Sequence, residues 1–258
     1  MSVMSYTPRW ITLDGPVNVR AVVPNVLLRA DNLQTLSGRD IRMLVDEHAL
    51  EAVIDLRTDV EVEFSGPGPL SSATDVRIEF RSLYPDSADR VVLAGGAIKP
   101  WDSHHEDESP DEQPVVRAYM SYLRLRPDSI VGAVRSIACT QGAVLVHCAA
   151  GKDRTGVVVA LALDAAGVDR RIIVADYLAT AERIEAIIAR LLSSPLYRDE
   201  LEGHDPQRHA PLPGTMERVL ELVDERYGGS AAFLSGHGLE AHDLELLRRR
   251  VASGPAGG

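Results

Sequence analysis

Apolar and polar positions alternate in blocks whose lengths separate strands from helices. Residues 25–29 read as a short strand, and Ser37 is placed to cap a helix running to about residue 48, with Ile41, Leu44 and Val45 on one face. Residues 52–56 form an apolar run of strand length interrupted only by Asp55, which predicts a strand buried on both faces. The Gly66-Pro67-Gly68-Pro69 run marks a loop, and residues 76–80 read as another strand. Residues 85–114 are acidic, contain proline and lack apolar periodicity. Helices are predicted over 115–125 and 128–138, then a buried strand over 143–147 and a helix over 155–166. Beyond Gly167 the pattern is helical, over 170–178, 181–192, 214–227 and 240–251, and residues 252–258 read as a frayed tail.

Strands followed by helices predict an α/β fold: a central, mostly parallel sheet flanked by helices, with a helical cap appended. No internal repeat is present, and 258 residues fit a single domain over 1–258. Only 5% of residues are aromatic against 45% hydrophobic, so the core is expected to be aliphatic. The formal charge of -11 argues against a nucleic-acid binder, whose affinity comes from clustered Lys and Arg. An anionic ligand therefore requires a local basic pocket. The best apolar run, residues 156–168, is short of a membrane span and broken by Asp164, and residues 1–15 lack the apolar centre of a secretory signal. A cytoplasmic location is expected, with signal-independent export left open. Two cysteines, Cys139 and Cys148, fit a reducing compartment.

The chemistry concentrates in His147-Cys148-Ala149-Ala150-Gly151-Lys152-Asp153-Arg154-Thr155-Gly156, between the last predicted strand and a helix. Five residues separate Cys148 from Arg154, enough to curl a loop whose amides converge on an anion at a helix N-terminus. Ala149, Ala150, Gly151, Lys152, Asp153 and Arg154 are therefore the expected phosphate-binding residues. Gly151 permits the bend, and Arg154 offers a planar fork to two phosphate oxygens. The nest, the helix dipole and Arg154 all favour a thiolate at Cys148, which is expected to attack phosphorus. Thr155 is expected to stabilise the departing thiolate, and His147 to orient the loop through backbone contacts. Arg57 and Arg29 are further candidates for reaching the phosphate, against an ordinary ion pair such as Arg57 with Asp55 or Asp59.

At these residues the chain resembles the bacterial atypical tyrosine and dual-specificity phosphatases of the PtpB type. The resemblance extends to Leu28-Arg29-Ala30-Asp31, Val53-Ile54-Asp55-Leu56-Arg57, Ile173-Val174-Ala175-Asp176-Tyr177-Leu178 and Arg226-Tyr227-Gly228. It implies a protein tyrosine phosphatase-like fold, hydrolysis of phosphotyrosine and sometimes phosphoserine, phosphothreonine or phosphoinositides, and a helical lid over about residues 181–226. Expulsion of the leaving oxygen calls for an acid. The resemblance points to Asp86; Asp153 inside the loop and Asp102 after Trp101 are the alternatives. Lys152 resembles the lipid-phosphatase version of the loop, which keeps a phosphoinositide phosphatase open as the enzymatic alternative. A pseudophosphatase that only recognises phosphate is the non-enzymatic one, opposed by the intact Cys148, Arg154 and Thr155. A sulfurtransferase loop is disfavoured by the Arg-Thr-Gly closure. No metal or cofactor is expected: His104-His105-Glu106-Asp107-Glu108 reads as a solvated acidic loop. Cys139 is expected to be an ordinary buried thiol, too far along the chain from Cys148 for a bridge.

Overall fold

The computed structural model describes residues 7–73, 75–85 and 112–253. Its sheet has six strands: β1 (Arg9–Trp10), β2 (Arg20–Val23), β3 (Leu27–Ala30), β4 (Leu50–Asp55), β5 (Arg77–Phe80) and β6 (Ala143–His147). They lie in the order β1-β2-β3-β6-β4-β5. The β3–β6, β6–β4 and β4–β5 ladders are parallel, and β1 and β2 add an antiparallel edge. The mostly parallel sheet is thus present, and the first two strands are an addition to the sequence expectation.

Side chains on a strand point alternately to opposite faces, and the central strand divides its residues accordingly. Val144 and Val146 join Leu27, Ala52 and Ile54 in one core, whereas Ala143 and Leu145 join Leu28, Leu50 and Val53 in the other. The first core is covered by α4 (Pro114–Leu125), α5 (Pro127–Cys139), α6 (Asp153–Ala166), α10 (Thr215–Tyr227), α11 (Ser230–Gly236) and α12 (Ala241–Ser253). The second is covered by α1 (Gly38–Arg42) and its π-helical continuation Met43–Glu47, through Ile41 and Leu44. Ser37 caps α1 as expected, in a reciprocal capping box with Asp40.

Two short helices that periodicity did not predict, α2 (Asp59–Ser65) and α3 (Leu70–Ala73), follow β4. After α7 (Arg170–Ala179) the chain makes a 3-10 turn at Thr180–Arg183, then α8 (Ile184–Leu192), α9 (Pro195–Leu201) and another 3-10 turn, Pro206–His209. Ile184, Ile188 and Leu201 form a small apolar cluster of their own, separate from both sheet cores. The predicted 181–192 helix is therefore divided by geometry at its first turn, and its apolar face packs mainly within this local unit.

Candidate active site

The parallel strands β3, β6 and β4 all end at one edge, where open α/β sheets place their ligands. Cys148 follows β6 directly and is 2% exposed; α6 starts at Asp153. Gly151 takes φ +66°, and a Cβ there would lie 2.3 Å from the Ala30 carbonyl oxygen, so glycine is required for both backbone angle and space. A wider cleft of about 560 Å³, beside Val45, Glu51 and Arg77, lies at the opposite ends of the strands and holds none of the loop.

The loop is held from outside by its carbonyl groups. Asn32 N donates to Ala149 O at 3.0 Å. Asn18 Nδ2 donates to Ala150 O at 2.9 Å and Gly151 O at 3.3 Å, and Arg29 Nη2 to Gly151 O at 2.7 Å. His147 Nδ1 lies 3.2 Å from Cys148 O, and its Nε2 3.6 Å from Asp55 Oδ2. Burial lowers the His147 pKa. Arg29 thus supports the loop from behind.

Arg154 is almost fully buried and its end-on pair of nitrogens is taken by Glu61: Nη1 to Oε2 at 2.6 Å and Nη2 to Oε1 at 2.9 Å. Nη1 also donates to Leu56 O at 3.3 Å. The Tyr84 ring lies 5.4 Å from the guanidinium carbon. Among the described residues Arg154 Nε makes no hydrogen bond, so the Nε–Nη2 edge carries the free donors. Burial raises the Glu61 carboxyl, but Arg154, the Thr58 amide and the Tyr197 hydroxyl together hold it down at about 2. Glu61 escaped the sequence reading. Its signal was Thr58-x-x-Glu61, a capping box that opens α2 and brings the carboxylate back to the chain entry.

The remaining predicted residues divide clearly. Thr155 is fully buried and its Oγ1 has no partner among the described residues, so its expected donation to sulfur is not made in this state. Asp153 Oδ1 accepts from Tyr119 at 2.6 Å and lies 3.5 Å from Lys152 Nζ. Lys152 Nζ itself donates to His209 O at 2.6 Å. Arg57 does not reach the loop: Nη2 pairs with Asp55 at 2.6 Å and Nη1 bonds Ser65 Oγ at 2.7 Å, so the ion-pair alternative holds. Asp86, Asp102 and the 104–108 cluster lie outside the described residues. Cys139 is exposed and not buried as expected, because it ends α5, where its sulfur sits 3.5 Å from Asp243 Oδ1. Both cysteines are free thiols. Among the described residues, no group of three or more His, Cys, Asp or Glu is placed to hold a metal ion.

The segment after α7 touches the loop once and the loop's supporting residues at two further points. Tyr197 Oη donates to Glu61 Oε1 at 2.5 Å, Arg190 pairs with Asp31 and donates to Asn32 O at 3.0 Å, and Lys152 bonds the His209 carbonyl. A groove of about 270 Å³ between them is lined by Phe64, Arg190, Leu196, Tyr197 and the loop residue Ala149.

The comparisons with known proteins agree with this architecture. The model of the "Tyrosine phosphatase family" matches residues 14–253. The triple specificity protein phosphatase PtpB of Mycobacterium tuberculosis is 31% identical over 96% of this chain and 98% of its own length. A tyrosine-protein phosphatase of Nostoc commune is 31% identical over 90% of this chain and 76% of its own. The core catalytic domain of the PP-IP phosphatase SIW14 from S. cerevisiae covers 74% of this chain and 98% of its own length at 14% identity, but its TM-score of 0.38 is too low to decide anything here. The chain belongs to the tyrosine phosphatase family, as a cysteine-dependent phosphatase of the PtpB type.

Proposed function

We propose that this protein hydrolyses phosphate monoesters, protein phosphotyrosine first, through a Cys148 phosphoenzyme. The observation that carries the reading is Arg154 fixed by Glu61, its Nε making no hydrogen bond among the described residues, at the end of a loop whose Ala149, Ala150 and Gly151 carbonyls are held from outside by Asn32, Asn18 and Arg29. Attack by the Cys148 sulfur on phosphorus breaks the ester P–O bond. Arg154 and the loop amides take up the charge on the non-bridging oxygens, and Thr155 is placed to bond the sulfur when water cleaves the S–P bond. An aspartate protonates the leaving oxygen: Asp86 on the resemblance, or Asp153 on its position in the loop.

Cys148 is buried with the segment after α7 in place, and the long phosphotyrosine side chain is the substrate group we put first. Lys152 is engaged with His209 and Asp153, which weighs against its holding the second phosphate of a phosphoinositide. The mycobacterial relative is named a triple specificity protein phosphatase, which supports more than one class of substrate; phosphotyrosine is the one we put first. Of the lid expected over about residues 181–226 we read residues 181–209 as the moving part, within one phosphatase domain, with the Tyr197, Arg190 and Lys152 contacts as its closed state; the expected bounds reach too far, because Met216, Val219 and Leu220 of α10 are packed into the first sheet core. No helix among the described residues is long and apolar enough to cross a membrane, and a cytoplasmic phosphoprotein substrate is the reading adopted.

The test is phosphate release from an aryl phosphate in EDTA. Cys148→Ser is expected to abolish turnover, and equal rates would defeat the thiol mechanism. Of Asp86→Ala and Asp153→Asn, the variant that loses the basic limb of the pH–rate profile identifies the acid.

A further inference from the structure

Behind the loop, on the side away from the nucleophile, lies a polar cluster buried as deeply as the apolar core. Asn18, Arg20, Arg29 and Asp176 are each at most 1% exposed. Arg20 Nε donates to Asp176 Oδ1 at 2.8 Å and Arg29 Nη1 to Asp176 Oδ2, so two guanidiniums converge on one carboxylate of α7. Arg20 also donates to Asn18 Oδ1 at 2.6 Å, to the Asp176 carbonyl at 2.8 Å and to Thr180 Oγ1 at 3.1 Å. This orients the Asn18 amide so that Nδ2 meets Ala150 O and Gly151 O, while Arg29 Nη2 meets Gly151 O from the same side.

Burying charged groups is costly unless they are paired and fully hydrogen-bonded, and apolar residues of the same volume serve stability as well or better. Stability alone therefore does not account for two arginines and an aspartate here. The peptide bond does. It is planar and trans, with no cis bonds among the described residues, so the N–H of one residue points opposite to the carbonyl before it. Fixing the Ala150 and Gly151 carbonyls on the cluster therefore aims the Gly151 and Lys152 amides to the other side, into the curve of the loop.

We propose that Asp176 is a positioning residue for phosphoryl transfer: acting through Arg20, Asn18 and Arg29, it sets the direction of the Gly151 and Lys152 amides that face the oxyanion. The proposal rests on the reading of the loop as a phosphate site.

The test compares alkylation of Cys148 by iodoacetate, an anion, with that by neutral iodoacetamide in the full-length protein. The ratio of the two rate constants reports attraction of an anion by the loop, because the reactivity of the sulfur cancels. Asp176→Asn keeps the shape and removes the charge; Asn18→Ser removes the Nδ2 donors together with the Oδ1 that accepts from Arg20. For both variants the ratio is expected to fall about fivefold and the inhibition constant for inorganic phosphate to rise about tenfold, on the scale of one well-placed donor.

Folded variants that keep the wild-type ratio and phosphate inhibition, having lost only thermal stability, would overturn the proposal. If Asp176→Asn does not fold, Asn18→Ser decides by the same criterion. A wild-type ratio equal to that of a small free thiol, with no protection by phosphate, overturns the phosphate-site reading itself and the positioning role with it. The two failures are therefore told apart by the wild-type protein.

Discussion

The two sides of the catalytic loop are built from different material. Its base is gripped by residues of β2, β3 and α7, anchored in the sheet and closed to solvent. Its mouth is closed by Tyr197, Arg190 and the His209 carbonyl, from a segment whose apolar residues Ile184, Ile188 and Leu201 pack in a cluster apart from the main cores. A side tied into the sheet keeps the loop's shape, whereas a side with its own small core is free to leave as a unit. The lesson is that preorganisation and access are assigned largely to separate contacts, which meet at Glu61, Asp31 and Asn32.

The largest effect is expected where the two sides meet. Glu61→Ala strips a buried guanidinium of its partner and is predicted to cost about 3–5 kcal/mol in denaturant unfolding, with a loss of at least about a hundredfold in kcat/KM. Wild-type-like stability would show that Arg154 does not depend on Glu61. The same carboxyl has a pH signature. Its folded pKa of about 2 lies below the ordinary value of 4.5, so its contribution is present above about pH 4.5 and lost as pH falls toward 2.

Asp31 runs the other way. Burial raises its carboxyl to about 6 despite Arg190 and the amides of Asn18 and Val17, so the stability it contributes is complete below about pH 3.8 and lost as pH rises through about 6. Replacement by Asn is therefore expected to shift relative stability in favour of the variant by on the order of 3 kcal/mol between pH 4 and pH 7. A difference between Asp31→Asn and wild type that stays flat across that range would show the Arg190 pair to be fully compensated.

The smallest change tests access alone. Tyr197→Phe deletes one hydroxyl from Glu61 and should cost about 1 kcal/mol of stability. If the mouth is a lid, the variant should raise kcat/KM about threefold for a phosphotyrosine peptide while leaving a small aryl phosphate near the wild-type value. Equal changes for both substrates would remove the distinction between base and mouth.

The sequence made the reactive centre plain because its parts are close in the chain. Cys148 and Arg154 lie on one loop between a buried strand and a helix, and the spacing itself carries the geometry. The supporting residues gave no such pattern. Glu61 is 93 positions from Arg154, and Asp176 sits in a helix whose periodicity marks only the apolar face. The β1–β2 edge was missed because its strands are short and one carries the buried Arg20, a residue that reads as surface until its partners are known. Arg57 and Arg29 both read from the sequence as candidates for the phosphate. Their actual partners, Asp55 in one case and Asp176 with the loop carbonyls in the other, follow from strand register and helix packing.

One carboxylate also ties assembly to competence. Glu61 Oε2 accepts from the Thr58 backbone at 2.7 Å, completing the first turn of α2, and from Arg154 at 2.6 Å. A chain in which α2 has not yet formed holds the nucleophile but not an oriented guanidinium. During refolding, recovery of turnover should therefore lag behind formation of the sheet and mark the docking of this single helical turn, which makes the enzyme its own reporter of completed folding.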